Sequence, residues 1–327
     1  MPEQPEAAGN TTPVTRPAEE DKVIWRTSEP KPAEAPVRKP VPRTVAAGFA
    51  EFCERLVPKY TESEEAAATL QAIEKRLAGT FNVTFMAPYG SRGHGTNVRG
   101  LSAIDSFVVM PTADLYEDSE KSLKFFRDCL APVLPGTHIT EGRPVVAVPF
   151  GTRPSEQHHV VPAFLNGTRE GHDMFSIPAP RGRWVDICPA AHSIWINELD
   201  TTLNKNLKKF IRVVKAWSHY NDGIVWRYYL ELCAADYLKK DSAIVYSRDL
   251  HNFFRYLADR KLAPFENTQG CAEPVYGTSR AHRDTAIAFI QSTLAMAEKA
   301  LECEQRGNTA DAFYWWRKIF DWRFAAF

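Results

Sequence analysis

The sequence has no excess of charge of either sign, because its 327 residues include 40 Lys and Arg against 40 Asp and Glu. A balanced chain exerts little overall attraction on nucleic acid or on an anionic membrane, so a site for a polyanion has to be a local basic patch. The sequence also lacks an apolar run long enough to span a membrane, and its polar, proline-rich first residues do not resemble a signal peptide. We therefore expect no membrane partner, and a nucleic-acid partner is possible but not required.

Paired cysteines are missing as well. The six cysteines are scattered along the chain, and no two of them form a Cys-x-x-Cys motif. Thiols in this arrangement are typical of proteins kept reduced in the cytoplasm. The sequence therefore predicts a cytoplasmic protein.

The overall composition suits a globular protein, with 44% hydrophobic and 24% charged residues. The first 45 residues differ from the rest, because they hold nine of the 23 prolines together with many Glu, Lys, Thr and Ala. Such a segment cannot bury enough apolar surface to offset the entropy lost on ordering. We predict a disordered tail over residues 1–45, either a passive leader or a tether for a partner protein.

The spacing of the apolar residues divides the remaining chain into two parts. Up to residue 198, short apolar runs alternate with helical patterns, which is typical of a mixed α/β domain. From Leu199 onward the apolar residues recur at helical spacing, so we predict a core over residues 46–198 and a helical domain over residues 199–327. Strands are predicted over residues 81–86, 104–110, 144–150 and 158–164, and helices over residues 49–56, 66–77, 119–130, 203–217, 226–238, 250–257, 283–306 and 311–320.

A glycine-rich segment between the first two predicted strands has the clearest chemical signal. It reads Gly90-Ser91, then Gly95-Thr96, then Ser102-Ala103-Ile104-Asp105 at the start of a strand. Glycines let backbone N–H groups approach a phosphate, and the Ser91 hydroxyl is a further donor. Side chains two apart on a strand share a face, so positions 103 and 105 would face a bound triphosphate together, where paired carboxylates hold two Mg²⁺ ions. The alternative is a plain glycine turn between two buried strands.

This segment resembles the nucleotide-binding motif of the cGAS/DncV-like nucleotidyltransferases (CD-NTases) of bacterial antiphage signalling. The likeness continues in the family's order from about Phe49 to the end of the chain. Its further elements are Val160-Val161-Pro162-Ala163-Phe164, Trp184 with Cys188-Pro189-Ala190-Ala191-His192, Val213-Val214-Lys215-Ala216-Trp217, Leu230-Glu231, and Ala312 with Trp316-Arg317-Lys318-Ile319-Phe320.

The resemblance implies an α/β (α+β) fold, with a polymerase-β-type nucleotidyltransferase core built on a mixed sheet and an all-helical domain that closes the nucleotide cleft. It implies an enzyme that uses Mg²⁺ or Mn²⁺ to join nucleoside triphosphates into a cyclic or linear oligonucleotide messenger. That messenger would activate a separate effector protein in CBASS antiphage defence. The resemblance assigns Asp105 to catalysis and metal binding, His159 to catalysis, and Gly90, Ser91, Lys215 and Arg227 to nucleotide binding.

Three positions depart from the family's pattern. The family has Asp where this chain has Ala103, an acid where it has His159, and Ser where it has Arg227. Only Asp105 remains of three expected carboxylates, and imidazole suits Zn²⁺, Ni²⁺ or Cu²⁺ better than Mg²⁺. Losing one directly placed group of this kind typically costs about 10²–10⁴ in rate. One Mg²⁺ can still be held by Asp105 together with a triphosphate. We therefore expect binding of an Mg²⁺-nucleoside triphosphate through Gly90, Ser91, Asp105 and Lys215, with weak or absent transfer activity.

Several alternatives for the site stay open at the level of sequence. Asp186 or Glu156 supplies the missing acid if the third position is misaligned. His159 acts as a general base if it is not a metal ligand. Lys215 is an ordinary solvated lysine if it does not reach the triphosphate.

Two further alternatives concern metal and function. The residues His158, His159, Cys188 and His192 form a transition-metal site unless they are incidental packing and surface histidines, which is the simpler explanation. The rival functions are a catalytically silent nucleotide sensor or scaffold for an active partner, and a nucleotidyltransferase that acts on RNA ends.

Overall fold

The computed structural model describes residues 44–58, 64–266 and 273–327. Residues 1–43 of the predicted tail lie outside the described residues, so the disordered tail stays a prediction. The described residues belong to one compact unit, in which a mixed sheet with its helices precedes a set of packed helices. This order of elements confirms the predicted fold class.

Two helices precede the sheet. Helix α1 spans Val45–Leu56 and begins after Thr44, whose hydroxyl accepts a hydrogen bond from the N–H of Ala47. Helix α2 spans Glu64–Ala78 and ends next to Gly79. The buried residues of each helix recur on one face, which explains why apolar spacing predicted both helices.

The sheet in the described part of the chain has the strands β1 (Phe85–Pro88), β2 (Ile104–Val109), β3 (His138–Ile139), β4 (Val146–Pro149), β5 (Gln157–Arg169), β6 (His172–Pro178) and β7 (Trp184–Ile187). The main path runs β1–β2–β5–β4–β3, and β6 and β7 extend from β5. Strands β2 and β5 are parallel, and the other pairs are antiparallel. The short helix α3 (Gly90–Gly93) follows β1, and α4 (Ser119–Leu130) follows β2.

The second part of the chain is helical. Its helices are α5 (Pro189–Thr202), α6 (Leu207–Tyr220), α7 (Arg227–Leu238), α8 (Tyr246–Arg260), α9 (Arg283–Gln305) and α10 (Thr309–Ile319). None of the helices in the described ranges combines the length and the apolar character that crossing a bilayer requires. The five cysteines in the same ranges are free thiols.

The hydrophobic core consists of three clusters. The largest joins α1 to α6–α10, and in it Phe49 contacts Trp316 and Phe324 with ring centroids 5.0 and 4.7 Å away. A second cluster lies between the sheet, α2 and α4, and includes Val108 of β2, while Phe107 points to a third cluster on the opposite face. Helix α1 precedes the sheet in sequence but packs with the last helices, so it ties the start of the described chain to its end.

Some predicted element boundaries are wrong. The strand predicted from Phe81 begins at Phe85, because Phe81 turns into the core against Phe126 and the N–H of Asn82 donates to Asp114. Strand β5 continues beyond its predicted end because it pairs with β6 after a shift in register. Strands β3, β6 and β7 and helix α5 were not predicted. Their boundaries depend on pairing and packing partners rather than on local apolar spacing.

Helix α4 offers a local test of stability, because Asp118 caps its first turn. The Asp118 carboxylate accepts hydrogen bonds from the N–H groups of Glu120 at 2.8 Å and Lys121 at 3.3 Å. The substitution Asp118→Ala should lower the free energy of unfolding by about 1 kcal/mol, because both N–H groups lose an acceptor. Urea unfolding followed by circular dichroism measures this change, with Glu117→Ala as the control since Glu117 is exposed. Equal stability of the two variants would contradict the role of the cap.

Candidate functional site

The glycine-rich turn lies directly against Asp105. Strand β1 pairs with β2, and the N–H of Tyr89, just after β1, donates to the carbonyl of Asp105 at 3.2 Å. Gly90 follows with φ +59°, and a Cβ at this position would lie 3.0 Å from Oδ2 of Asp105. Glycine adopts this conformation and spacing without strain. The structure thus brings Gly90 and the adjoining Ser91, which is partly exposed, next to Asp105.

The parallel pair β2–β5 places His159 beside Asp105. The two residues are partners in the register, and Nδ1 of His159 lies 3.3 Å from Oδ1 of Asp105. His159 therefore lies where a second carboxylate would have to be to share an ion with Asp105. Ala103 comes immediately before β2 and offers only a methyl group.

The two other carboxylates considered from the sequence are engaged elsewhere. Asp186 on β7 accepts hydrogen bonds from the hydroxyl of Ser176 and from the amide of Asn166. Glu156 pairs with the side chain of Arg153 in the turn that precedes β5. We therefore assign neither carboxylate to the site.

An arginine without a predicted role occupies another side of Asp105. Arg143 lies in the turn between β3 and β4, where its carbonyl accepts a hydrogen bond from the N–H of Val145 at 2.8 Å. Its Nη1 lies 3.0 Å from Oδ1 of Asp105, and its Nη2 donates to the hydroxyl of Tyr89 at 3.2 Å. The guanidinium is thus held at two points beside the carboxylate.

Neighbouring charges decide the protonation of Asp105. Burial by itself raises the pKa of Asp105, but the charge of Arg143 and the contact with His159 outweigh burial and lower the pKa below its ordinary value. Asp105 is therefore ionised at neutral pH. Burial raises the pKa of Tyr89 to about 12, so this phenol is neutral when it accepts the hydrogen bond from Arg143.

A second arginine acts on the same carboxylate. Arg227 begins α7, is exposed, and donates from Nη1 to the carbonyl of Leu101 at 2.8 Å. Desolvation of the guanidinium lowers the pKa of Arg227. The negative charge of Asp105 raises this pKa, and the positive charge of Arg143 lowers it further. The site therefore combines two guanidiniums with one carboxylate, which leaves an excess of positive charge.

Lys215 lies in a buried ion pair. Its ammonium pairs with Glu231, and the two side chains are 3% and 1% exposed. The ammonium also donates to the hydroxyl of Thr96 at 2.9 Å. The alternative that Lys215 is an ordinary solvated lysine is therefore wrong. Its role in nucleotide binding stays a prediction, because these partners engage the ammonium in this structure.

Glu231 is the centre of this buried polar cluster. Its Oε1 lies 3.0 Å from Nδ1 of His94 and 2.9 Å from Nε2 of His192, and its Oε2 accepts the hydroxyl of Thr96 at 2.7 Å. Burial raises the pKa of Glu231, but Lys215 and the two histidines outweigh burial and hold the pKa well below its ordinary value. Because His94 and Thr96 belong to the glycine-rich segment, Glu231 fastens that segment to the helices.

The histidines do not gather as the transition-metal alternative requires. His158 contacts a backbone carbonyl through Nε2, and His192 turns towards Glu231. In the part of the chain that the structure describes, the one group of three potential ligands is His94, His192 and Glu231, whose ligand atoms lie within 4.8 Å of one another. A divalent ion there would add positive charge next to the buried ammonium of Lys215, so we interpret the group as a hydrogen-bonded network.

The resemblance implies a divalent metal ion held by carboxylates, and the residues beside the turn do not fit one. Mg²⁺ prefers oxygen ligands, and the site offers the single carboxylate of Asp105, whose Oδ1 is already paired with Arg143 and close to His159. Ala103 supplies no ligand, and imidazole is a poor ligand for Mg²⁺. The donor set therefore gives no support to the predicted assignment of Asp105 to Mg²⁺ or Mn²⁺.

This chain is similar to known proteins in its structure. No protein-family model matches this sequence, and no curated protein matches it. The structure of CdnC from E. coli MS115-1 with ATP matches at 18% identity and a TM-score of 0.65, over 87% of this chain and 100% of that chain. CdnG from Bradyrhizobium diazoefficiens in complex with GTP matches at 12% identity and a TM-score of 0.58, over 85% of this chain and 96% of that chain. The cyclic AMP-GMP synthase DncV from Vibrio cholerae matches at 12% identity and a TM-score of 0.55, over 84% of this chain and 86% of that chain.

At these identities the likeness establishes the fold. The chain has the fold of the CD-NTases, and the resemblance predicted from the glycine-rich segment is confirmed at that level. A shared fold does not by itself fix an activity, so function has to be argued from the residues of the site.

Proposed function

We propose that this protein binds a nucleoside triphosphate in the cleft between the glycine-rich turn and strand β2, and that it transfers nucleotidyl groups weakly or not at all. The observation on which the proposal rests is the ion pair between Arg143 and Asp105, at the one carboxylate that the expected metal site retains. The residues suited to phosphate binding are present, whereas those suited to transfer chemistry are not.

Phosphate binding is supported by the turn and by its charges. Gly90 has no Cβ between the backbone and Asp105, and the partly exposed hydroxyl of Ser91 can donate to a phosphate oxygen. Arg227 is an exposed residue whose positive charge also acts on Asp105. The neighbours CdnC and CdnG were solved with ATP and GTP respectively, which favours purine triphosphates as the first ligands to test.

Weak transfer follows from what the reaction requires. The attacking hydroxyl must lose its proton while charge on the phosphates is neutralised, and in two-metal enzymes the ions perform both tasks. His159 is the remaining candidate for a general base, but its Nδ1 faces Asp105, and its Nε2 is buried without a hydrogen-bond partner among the described residues. A general base has to come within hydrogen-bond reach of the hydroxyl, and this imidazole does not present a nitrogen to the cleft.

The biological role that we propose is that of a nucleotide sensor or scaffold in antiphage signalling, within the cytoplasm and next to a separate effector protein. CdnC of E. coli MS115-1 has also been solved in a complex with HORMA-deltaN, at 19% identity and a TM-score of 0.61 to this chain. Association with another protein is thus known for one structural neighbour. A messenger synthase with residual activity is the second candidate function, and the retained Gly90, Ser91 and Asp105 favour it.

A binding assay and a product assay on the full chain test this proposal. At a hundredfold excess over Kd, ATP or GTP should raise the Tm by about 3–6 °C, because a ligand that binds the folded state stabilises it. The same mixture with radiolabelled triphosphates and Mg²⁺ or Mn²⁺ should give little or no oligonucleotide product. Ser91→Ala should weaken ATP binding roughly tenfold or more, since a hydrogen bond to a charged group contributes about 1.5–3 kcal/mol.

The exposed Ser242 provides the matched control, and Ser242→Ala should bind ATP like the unchanged protein. If no nucleoside triphosphate raises the Tm, the binding half of the proposal is wrong. Rapid accumulation of labelled oligonucleotide would instead contradict the claim that the protein transfers nucleotidyl groups weakly or not at all.

A further inference from the structure

Arg143 is accessible to solvent, and Asp105 is not. The side chain of Arg143 is 49% exposed, whereas the side chain of Asp105 is 9% exposed. A ligand that enters the cleft therefore meets a guanidinium before it meets a carboxylate. The guanidinium has five N–H donors, and the contacts with Asp105 and Tyr89 use only some of them. The others can bind an anion.

The guanidinium is also held in one position. Its Nη1 is paired with Asp105, its Nη2 donates to the hydroxyl of Tyr89, and its carbon atom Cζ lies 6.0 Å from the centre of the Tyr89 ring. Tyr89 is itself buried, and its backbone N–H is bonded to Asp105. An arginine that is already ordered loses little side-chain entropy when it binds a ligand. The role of Asp105 in this arrangement is to position Arg143.

The charge balance of the cleft favours anions over cations. Arg143 pairs with Asp105, and the charge of Arg227 also acts on this carboxylate. His159 takes the place at which a further carboxylate would be needed. Two guanidiniums beside one carboxylate repel a divalent cation and attract a phosphate, which arginine binds through paired hydrogen bonds. Arg143 thus supplies at this point the positive charge that a metal ion supplies in two-metal enzymes.

We propose that nucleotide phosphates bind this cleft directly on Arg143 and Arg227, without a divalent metal ion. This proposal rests on the proposed function, because it concerns the same nucleotide site, and it specifies the free nucleotide polyanion as the ligand. The protein therefore recognises nucleotide that is not complexed to Mg²⁺.

Isothermal titration of the full chain with ATP tests this inference, once in EDTA and once in excess Mg²⁺. We expect the Kd in EDTA to be equal to or lower than the Kd in Mg²⁺. Arg143→Met should weaken binding in EDTA at least about tenfold, because it removes a charge-assisted contact with phosphate. Arg153→Met is the matched control, since Arg153 is 69% exposed and pairs with Glu156. Adenosine, which has no phosphate, should bind both variants alike.

The substitution Asp105→Asn is a second test, for which a metal site and an arginine site predict opposite results. If a metal ion on Asp105 held the phosphates, the loss of this carboxylate would abolish ATP binding in Mg²⁺. If Arg143 and Arg227 hold them, ATP should bind at least about threefold more tightly in both buffers, because the site loses a negative charge while the amide oxygen of Asn still accepts a hydrogen bond from Arg143. This variant keeps the inference testable should Arg143→Met fail to fold.

Different results would contradict metal-independent recognition and the proposed function. Binding of ATP only in Mg²⁺ would overturn metal-independent recognition and leave nucleotide binding intact. Absence of ATP binding in both buffers would overturn the proposed function itself. Unchanged affinity of Arg143→Met in EDTA would show that the guanidinium is not part of the phosphate site.

Discussion

Replacing Glu231 with alanine should lower the free energy of unfolding by about 3–5 kcal/mol, because it leaves the ammonium of Lys215 buried without its ion-pair partner. Lys215 and Glu231 are 3% and 1% exposed, so in the natural protein the ammonium has the carboxylate and not bulk water as its partner. The substitution also removes the acceptor of Thr96 and of two histidines. Unfolding in urea, monitored by tryptophan fluorescence and circular dichroism, measures the change.

Two companion variants identify the cause. In the double variant Lys215→Met and Glu231→Leu no charge is left unpaired, so much of the lost stability should return. Glu302→Ala removes an exposed partner of Arg306 and should change the free energy of unfolding by less than about 1 kcal/mol. If Glu231→Ala costs no more than Glu302→Ala, the buried cluster does not stabilise the fold.

Restoring the missing carboxylates should create nucleotidyl transfer where the natural chain has little. The combined variant Ala103→Asp, His159→Asp and Arg143→Ala replaces a methyl group and an imidazole with oxygen ligands and removes the guanidinium that occupies Asp105. We expect a gain of roughly 10²-fold or more in labelled oligonucleotide formed from ATP and GTP in Mg²⁺. Thin-layer chromatography of the labelled products provides the measurement.

The effect of restoring the carboxylates should depend on whether Arg143 is present. The two acid substitutions with Arg143 retained should gain less, because its guanidinium still pairs with Asp105 and competes with a metal ion. Adding Asp105→Asn to the combined variant should remove the gained activity. A combined variant that binds ATP but forms no more product than the natural protein would contradict the assignment of positions 103 and 159 to metal binding.

Local chemistry predicted the parts of the fold that depend on near neighbours in sequence. The predicted helix over residues 119–130 matches α4, because its apolar residues recur at helical spacing after the Asp118 cap. The meeting of Gly90 with Asp105 also followed from the sequence, since one turn connects β1 to the segment that leads into β2. The pairing of His159 with Asp105, by contrast, depends on the register between β2 and β5.

The residues that were missed have partners far away in sequence. Arg143 lies in a short turn between Gly142 and Pro144, where no periodicity marks a functional side chain. His94 and Glu231 are 137 residues apart, and neither sequence segment predicts their contact. Asp105 lies 38 residues before Arg143, and no signal in the sequence connects the two.

The sequence by itself determined a mixed α/β part followed by a helical part, a glycine-serine turn and a single carboxylate at the position where the resemblance expects a metal site. Only the tertiary structure decided what that carboxylate does. The β3–β4 turn carries Arg143 onto Asp105, and the packing of α6 against α7 buries Lys215 against Glu231. The physical reason is that backbone conformation follows from local sterics and apolar spacing, whereas the partner of a charged side chain is set by which elements pack together.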